Sequence, residues 1–181
     1  MQRVFTVFLL LFCFTAFAQQ ETSGKKFQSI NLLGIMEGEA GTGFQIQTIN
    51  GIKLNKNFIG VGVGLDYYFM RSIPLFIDLR REMLASRKAF VYADGGINFP
   101  WQDQSFDWEI KSSSGLFYEL GIGYRIPLKG CSFLMSGGYS YKRFDQKESY
   151  PIYCLLPPCP EQVYYYKHEL RRISVKMGIS F

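Results

Sequence analysis

Residues 58–69 read FIGVGVGLDYYF. Taken alternately, Ile59, Val61, Val63, Leu65, Tyr67 and Phe69 fall on one side, while Gly60, Gly62, Gly64 and Asp66 fall on the other. A period of two marks a β-strand, because successive side chains of a strand point to opposite faces. One face of this stretch is an unbroken apolar stripe, and the other carries small residues and a charge. A phosphate-binding loop is excluded: with Gly60 and Gly62 as the first glycines of G-x-G-x-x-G, the third position holds Leu65.

The same two-faced pattern recurs along the chain. Eight segments of ten or so residues, rich in aromatic and β-branched types, lie at about 27–39, 43–52, 58–69, 73–81, 89–99, 115–126, 131–144 and 163–181. In the fourth, Ile73, Leu75, Ile77 and Leu79 oppose Asp78 and Arg80. In the fifth, Val91, Ala93, Ile97 and Phe99 oppose Tyr92, Asp94 and Asn98. In the sixth, Leu116, Tyr118, Leu120, Ile122, Tyr124 and Ile126 oppose Glu119, Gly121, Gly123 and Arg125. The last segment alternates to its final residue, with Ile173, Val175, Met177, Ile179 and Phe181 on one parity.

Two closed architectures present such strands. A soluble lipocalin-like barrel turns the apolar face inward, and a membrane barrel turns it outward. Three features favour the second. The apolar stripe is long and almost uninterrupted. Aromatics collect at strand ends on that same face, at Tyr67 and Phe69, Phe99 and Trp101, Tyr139 and Tyr141, and Tyr165, as in the girdles of a membrane interface. The opposite face mixes charges of both signs. Pointed inward, Asp66, Asp78, Asp94 and Glu119 would share a narrow lumen with Arg80, Arg125, Arg172 and Lys176. A register slip of one would turn these charges to lipid, where each Arg or Lys costs about 2–4 kcal/mol at the midplane. The expectation is an all-β, eight-stranded antiparallel up-and-down transmembrane β-barrel.

The chain has 181 residues. Its start, MQRVFTVFLLLFCFTAFAQQ, combines Arg3, an apolar run from Val4 to Phe17 and small residues at Ala16 and Ala18. These are the parts of a secretory signal peptide, expected to be cleaved after Ala18, and the run is short of the roughly 20 residues of a spanning helix. Residues 19–181 are then read as one barrel domain. Loss of Arg3 leaves 19 basic against 15 acidic residues, a charge of +4. That modest excess suits lipid headgroups, and no basic run calls for nucleic acid.

Cys131, Cys154 and Cys159 follow the signal. Cys154 and Cys159 bracket CLLPPC and are a candidate disulfide in an oxidising compartment. A zinc site is a poor alternative with His168 as the sole histidine, and no metal or cofactor is expected. Cys131 is read as buried in a strand. With both ends of the barrel domain on one side, turns at about 53–57, 82–88 and 127–130 are short, whereas 100–114 and 145–162 on the far side are long. Short periplasmic turns and longer extracellular loops are the usual asymmetry.

The signal peptide, the eight alternating segments and the terminal VKMGISF together resemble the small outer-membrane β-barrels of Gram-negative bacteria, of the OmpA/OmpX shape. The stretch from GIKLNKNFIGVGVGLDYYF to IPLFIDLR is similar to the outer-membrane β-barrel domain family, which has no defined activity. The resemblance covers nearly all of residues 27–181. It implies the cell outer membrane as location, outer-membrane lipids as surroundings, and Phe181 as the signal read by the barrel assembly machinery. It implies no catalytic residues.

Some small outer-membrane barrels modify lipids through a nucleophile, a histidine base and an orienting acid. Here such an enzyme would have to use His168, with Glu169 and Ser174 nearby. Glu169, the adjacent residue, points to the opposite face of the strand and cannot simply orient the imidazole, while the parity of His168 matches Arg172 and Lys176. Asp94 and Glu119 as a glycosidase pair compete with the basic residues expected beside them. The favoured expectation is a non-enzymatic protein with a structural or surface-interaction role, exposing 100–114 and 145–162 to an extracellular partner. A lipid-modifying enzyme using His168 is the alternative, and a periplasmic lipocalin-like binding barrel the weaker one.

Overall fold

The computed structural model describes residues 25–83, 88–101, 109–151 and 161–181. They form β1 (Lys25–Gly38), β2 (Gly41–Leu54), β3 (Asn57–Asp66), β4 (Ser72–Glu82), β5 (Ala89–Pro100), β6 (Glu109–Ser113), β7 (Gly115–Pro127), β8 (Ser132–Pro151) and β9 (Glu161–Ser180). Each barrel strand pairs antiparallel with its neighbours, and β9 returns to β1 with Ile30 opposite Ser180 and Gly38 opposite Arg172. Eight strands thus close in the order β1-β2-β3-β4-β5-β7-β8-β9. The short β6 pairs with β8 beyond the end of β7. Closure leaves no unpaired edge within the barrel wall.

Parity decides the faces as the alternation requires. Along β3, Ile59, Val61 and Val63 are exposed while Gly60, Gly62, Gly64 and Asp66 are buried. On β4, Leu75, Ile77 and Leu79 are exposed, and Asp78, Arg80 and Glu82 are buried. The outside is greasy: Ile77 is 54% exposed, Ile122 69% and Ile173 66%. The lipocalin-like alternative, with the apolar face inward, is therefore overturned.

The interior holds more than glycine and charge. Phe58, Phe76, Phe90 and Phe117 share the inward parity and cluster with Ile30, Ile49 and Leu134. Inward glycines make the room for these rings. A Cβ on Gly62 would lie 2.4 Å from the ring of Phe76, and one on Gly123 would lie 2.3 Å from the ring of Phe90. Small and large side chains alternate across the lumen because an eight-stranded interior is only just wide enough to be filled by side chains.

Several boundaries differ from those the alternation suggested. β3 stops at Asp66, and residues 67–71 turn over the barrel mouth with Phe69 at a φ of 61°. β8 and β9 each run for 20 residues, so half of the expected loop 145–162 is strand: Asp145 to Pro151 pair with Lys167 to Glu161. The expected loop 100–114 likewise contains β6. The apolar stripe stops where lipid stops, but backbone pairing and tyrosine-rich strand propensity continue beyond it. Between β6 and β7 the register shifts by one, with Ser114, Gly115 and Leu116 opposite Arg143 and Phe144, which is a β-bulge. Cys131 is half-buried in the turn before β8 and not within a strand; its carbonyl accepts from the Leu128 N–H at 2.9 Å. Cys154 and Cys159 lie outside the described residues, as does the expected signal peptide.

Candidate functional site

The lumen is built from side chains that the inward parity delivers from every strand. Asp66, Asp78, Asp94, Glu119, Arg172 and Lys176 are 2% exposed or less, and Arg80 is 5% exposed. Three groupings result. Arg80 wraps Asp78, its neighbour two residues back on the same face of β4, with Nε 2.9 Å from Oδ1 and Nη2 2.7 Å from Oδ2. The guanidinium also lies over the rings of Phe90 and Tyr92, 5.4 and 5.6 Å from their centroids.

The second grouping centres on Glu119. Its Oε1 accepts from Tyr92 Oη at 2.7 Å and from Ser174 Oγ at 2.6 Å, and lies 2.7 Å from Lys176 Nζ. Lys176 also donates to Gln47 at 3.1 Å and stands 3.8 Å from Asp94. Asp94 is held more loosely and faces Asp78 across the β4–β5 pair.

The third grouping closes the mouth at the end of the barrel away from Lys25 and Phe181. Arg172 pairs with Asp66 at 2.5 Å and donates to Ser140 Oγ at 2.8 Å. Lys142 is 3.3 Å from Asp66 and donates to the carbonyl oxygens of Tyr68 at 3.1 Å and Met70 at 3.0 Å, and to Ser72 Oγ at 2.9 Å. Those bonds pull residues 67–71 inward. Tyr68 becomes wholly buried against Met36, Phe144 and Leu170, and its hydroxyl accepts from the Ala40 N–H at 2.8 Å.

Arg125 belongs elsewhere than the central network. It lies at the opposite rim, paired with Glu82, which also takes Lys53 at 2.5 Å. Lys142 occupies the lumen in its stead, so four acids and four bases still meet there: Asp66, Asp78, Asp94 and Glu119 with Arg80, Lys142, Arg172 and Lys176. Lys142 carries the inward parity of its strand, two residues before Phe144. Extending the alternation through segment 131–144 finds it. Tyr68 also falls on the inward parity of segment 58–69, but its burial depends on how a turn folds back.

His168 sits at that same mouth on the inward parity, half-buried and stacked on Phe144 with centroids 4.8 Å apart, and 5.2 Å from the ring of Phe69. The groups named with it are engaged elsewhere. Ser174 serves Glu119, and Glu169 pairs with Lys167 at 2.7 Å on the outer face. The Lys167 hydrogen bond and its positive charge hold the Glu169 carboxyl below its ordinary range. Among the described residues no cluster of three or more His, Cys, Asp or Glu is placed to hold a metal.

Outside, aromatic rings ring the barrel at two levels. Phe44 stacks on Tyr67 at 4.3 Å and Tyr118 on Tyr141 at 5.0 Å near the mouth. Phe27, Tyr124 and Phe181 are exposed at the other end. A closed antiparallel barrel that is apolar outside, ionic inside and girdled by aromatics is a membrane-spanning β-barrel. No family model and no curated protein matches the chain. Among solved structures, the outer membrane protein AlkL, determined by solid-state NMR in DMPC lipid bilayers, is similar to this chain at 12% identity and a TM-score of 0.49, over 92% of this chain and 93% of that one.

Proposed function

We propose that the protein is a non-enzymatic barrel of the outer membrane whose role is structural or surface-interacting, exercised through the strand extension above its outer mouth. One observation carries this reading. β8 and β9 continue as a paired hairpin well past the last apolar row, to Pro151 opposite Glu161, and present Tyr165 at 77% exposure with Tyr164 and Tyr166 beside it. Paired strands hold such a surface in shape before any partner arrives, which lowers the ordering cost of contact. The filled lumen supports a role at the surface over passage through the barrel. His168 supports the non-enzymatic reading, since its described neighbours are aromatic rings.

Outer-membrane lipids are the expected surroundings and the barrel assembly machinery the expected partner during insertion. The test has three readouts. Protein purified from the membranes of expressing cells is run in mild SDS with and without boiling, and a boiling-dependent shift is expected. An epitope inserted within 152–160 is then probed on intact cells. Antibody binding without permeabilisation is expected, and binding only after permeabilisation would sink the surface role. Envelope lipids unchanged in cells carrying His168→Ala support the non-enzymatic reading, and a lost lipid modification would replace it.

A further inference from the structure

The outward face of β1 and β2 interrupts the apolar wall. Running towards the mouth, the outward residues of β1 are Phe27, Ser29, Asn31, Leu33 and Ile35. Those of β2 are Ile52, Asn50, Thr48, Ile46 and Phe44. Ser29 pairs with Asn50 and Asn31 with Thr48, so the four polar residues are one patch. Apolar pairs bound it at both ends, with Phe27 opposite Ile52 and Leu33 opposite Ile46. Arg81 also faces outward, but at the rim, opposite Asn57. Across the middle of the wall the other barrel strands turn only apolar residues, glycine and tyrosine to the outside.

Hydrocarbon offers these groups no hydrogen bond, and a polar group left in it without one is costly. Thr48 Oγ1 donates to Asn31 Oδ1 at 2.7 Å. That bond uses one acceptor of the Asn31 amide and neither of its donors. Asn50 stands exposed on the same face, diagonal to Asn31, with a second amide. The wall is also concave here. A hollow of about 700 Å³ lies against Asn31 and Thr48, with Leu33, Ile46, Met177 and Phe181 among its walls. A lipid tail fills such a hollow but brings neither donor nor acceptor.

We propose that this face docks a second copy of the chain within the membrane, about a two-fold axis along the membrane normal. The proposal rests on the outward face being in contact with lipid. Three features name the occupant. An amide is both donor and acceptor, so a patch of asparagines is complementary to itself. The patch carries no charge, so bringing two together raises no repulsion. Depth matches as well. An outward row of paired residues starts at Phe181 and Ser29, runs through Asn50 and returns to β9 at Arg171. Each strand in that row stands higher than the last by a little over one residue. Asn31, two positions above Ser29, is thereby brought level with Asn50 to within about one residue. A two-fold rotation about the normal sets β1 of one copy against β2 of the other. Asn31 of each copy then meets the partner's Asn50, and the contact is made twice.

Protein purified from the membranes of expressing cells is held in neutral, density-matched detergent micelles, and its mass is followed by sedimentation equilibrium over a range of protein-to-detergent ratios. A monomer–dimer equilibrium is expected, with nothing beyond two copies. Asn31→Leu with Asn50→Leu is expected to weaken the dimer by about tenfold or more, since both symmetry-related amide contacts are lost. The same variant should keep its boiling-dependent shift, because it makes the lipid-facing wall more apolar. Ile97→Ala with Ile122→Ala, on the opposite side of the barrel, should dimerise as the wild type does. A wild type that stays monomeric, a double variant that dimerises undiminished, or assembly past two copies overturns the proposal. So does a complex from native membranes that contains a different polypeptide and loses it in the variant, which would assign the face to that partner. Loss of the shift in every sample would sink the membrane reading, whereas folded monomers sink the dimer alone. Should only the double variant lose the shift, Asn31→Leu and Asn50→Leu are read singly, and undiminished dimers in both overturn the proposal equally.

Discussion

Arg172 and Asp66 lie 106 residues apart in sequence and 2.5 Å apart in the lumen, both wholly shielded from solvent. The contact joins the last strand to the end of β3 across the barrel interior, near the mouth. Removing one partner of a buried pair leaves an uncompensated charge and costs about 3–5 kcal/mol. Arg172→Met and Asp66→Asn are each expected to lower the temperature at which the folded band gives way to the unfolded one in mild SDS. The double variant should fall by less than the sum of the two, since neither charge is then stranded. Strict additivity would mean that the two residues act independently.

Glu119 should matter more than Asp94. One oxygen of Glu119 holds Tyr92, Ser174 and Lys176 together, whereas Asp94 has Lys176 at 3.8 Å and a like charge, Asp78, opposite it. Glu119→Gln strands a buried lysine, while Asp94→Asn relieves a repulsion. Urea unfolding in micelles should show the first destabilised by about 3 kcal/mol or more and the second by clearly less. Equal losses would place Asp94 at the centre of the network as well.

Gly62 leaves the space that the Phe76 ring fills. A Cβ there meets the ring at 2.4 Å, and the ring is enclosed on all sides. Gly62→Val is expected to abolish the heat-shifted form, and Phe76→Ala in the same chain to restore part of it. Gly137 is the control: its nearest neighbour to an added Cβ is 3.6 Å away, ordinary contact. Gly137→Ala should fold as the wild type does.

The faces and the closure were legible in the sequence for one physical reason. Lipid outside and a filled lumen inside impose a two-residue period, which β3, β4, β5 and β7 carry, with phenylalanines as well as charges on the inward face. For Arg125 parity gives the face but not the height: it points inward, yet at the rim where Glu82 stands. Lys142 lies on the inward parity between Tyr141 and Arg143, where the flanking outward residues dominate the pattern of the segment. The mouth was illegible for a different reason. Tyr68 continues the inward parity of β3, but its burial follows from the chain turning at Asp66 and from two carbonyl oxygens meeting a lysine 72 and 74 residues on. Such contacts are made by loop geometry, which periodicity does not encode.

Ile77 tests the outside of the wall. It lies mid-strand on β4, opposite Val61 on one side and Gly95 on the other, and is 54% exposed. In a bilayer that exposure is to hydrocarbon. Ile77→Lys should cost about 2–4 kcal/mol in phospholipid vesicles, read from urea unfolding followed by tryptophan fluorescence. Asn57→Lys, at the rim on the same outward parity, should cost much less, because the penalty falls towards the interface. Equal and small losses at both sites would mean that the face is not in contact with lipid tails.

Lys142 is the fastener of the mouth. Its ammonium holds the carbonyl oxygens of Tyr68 and Met70 and the hydroxyl of Ser72, and no methionine side chain can replace those bonds. Lys142→Met keeps the length of the chain and removes the charge. Residues 67–71 should then leave the barrel mouth, the more readily because Phe69 gives up an unfavourable φ of 61° on release. Amide exchange at Phe69 and Met70 should quicken by about tenfold or more, the loss of a charged hydrogen-bonding hub being worth well over 1.4 kcal/mol. Conductance should not follow. The rings of Phe58 and Phe90 fill the lumen nearer the opposite rim, opposite Arg80 and Gly123 and away from Lys142. Planar bilayer recordings of the variant should therefore stay as silent as those of the wild type. An open channel would show that the turn over the mouth, and not the aromatic packing below it, is what closes this barrel.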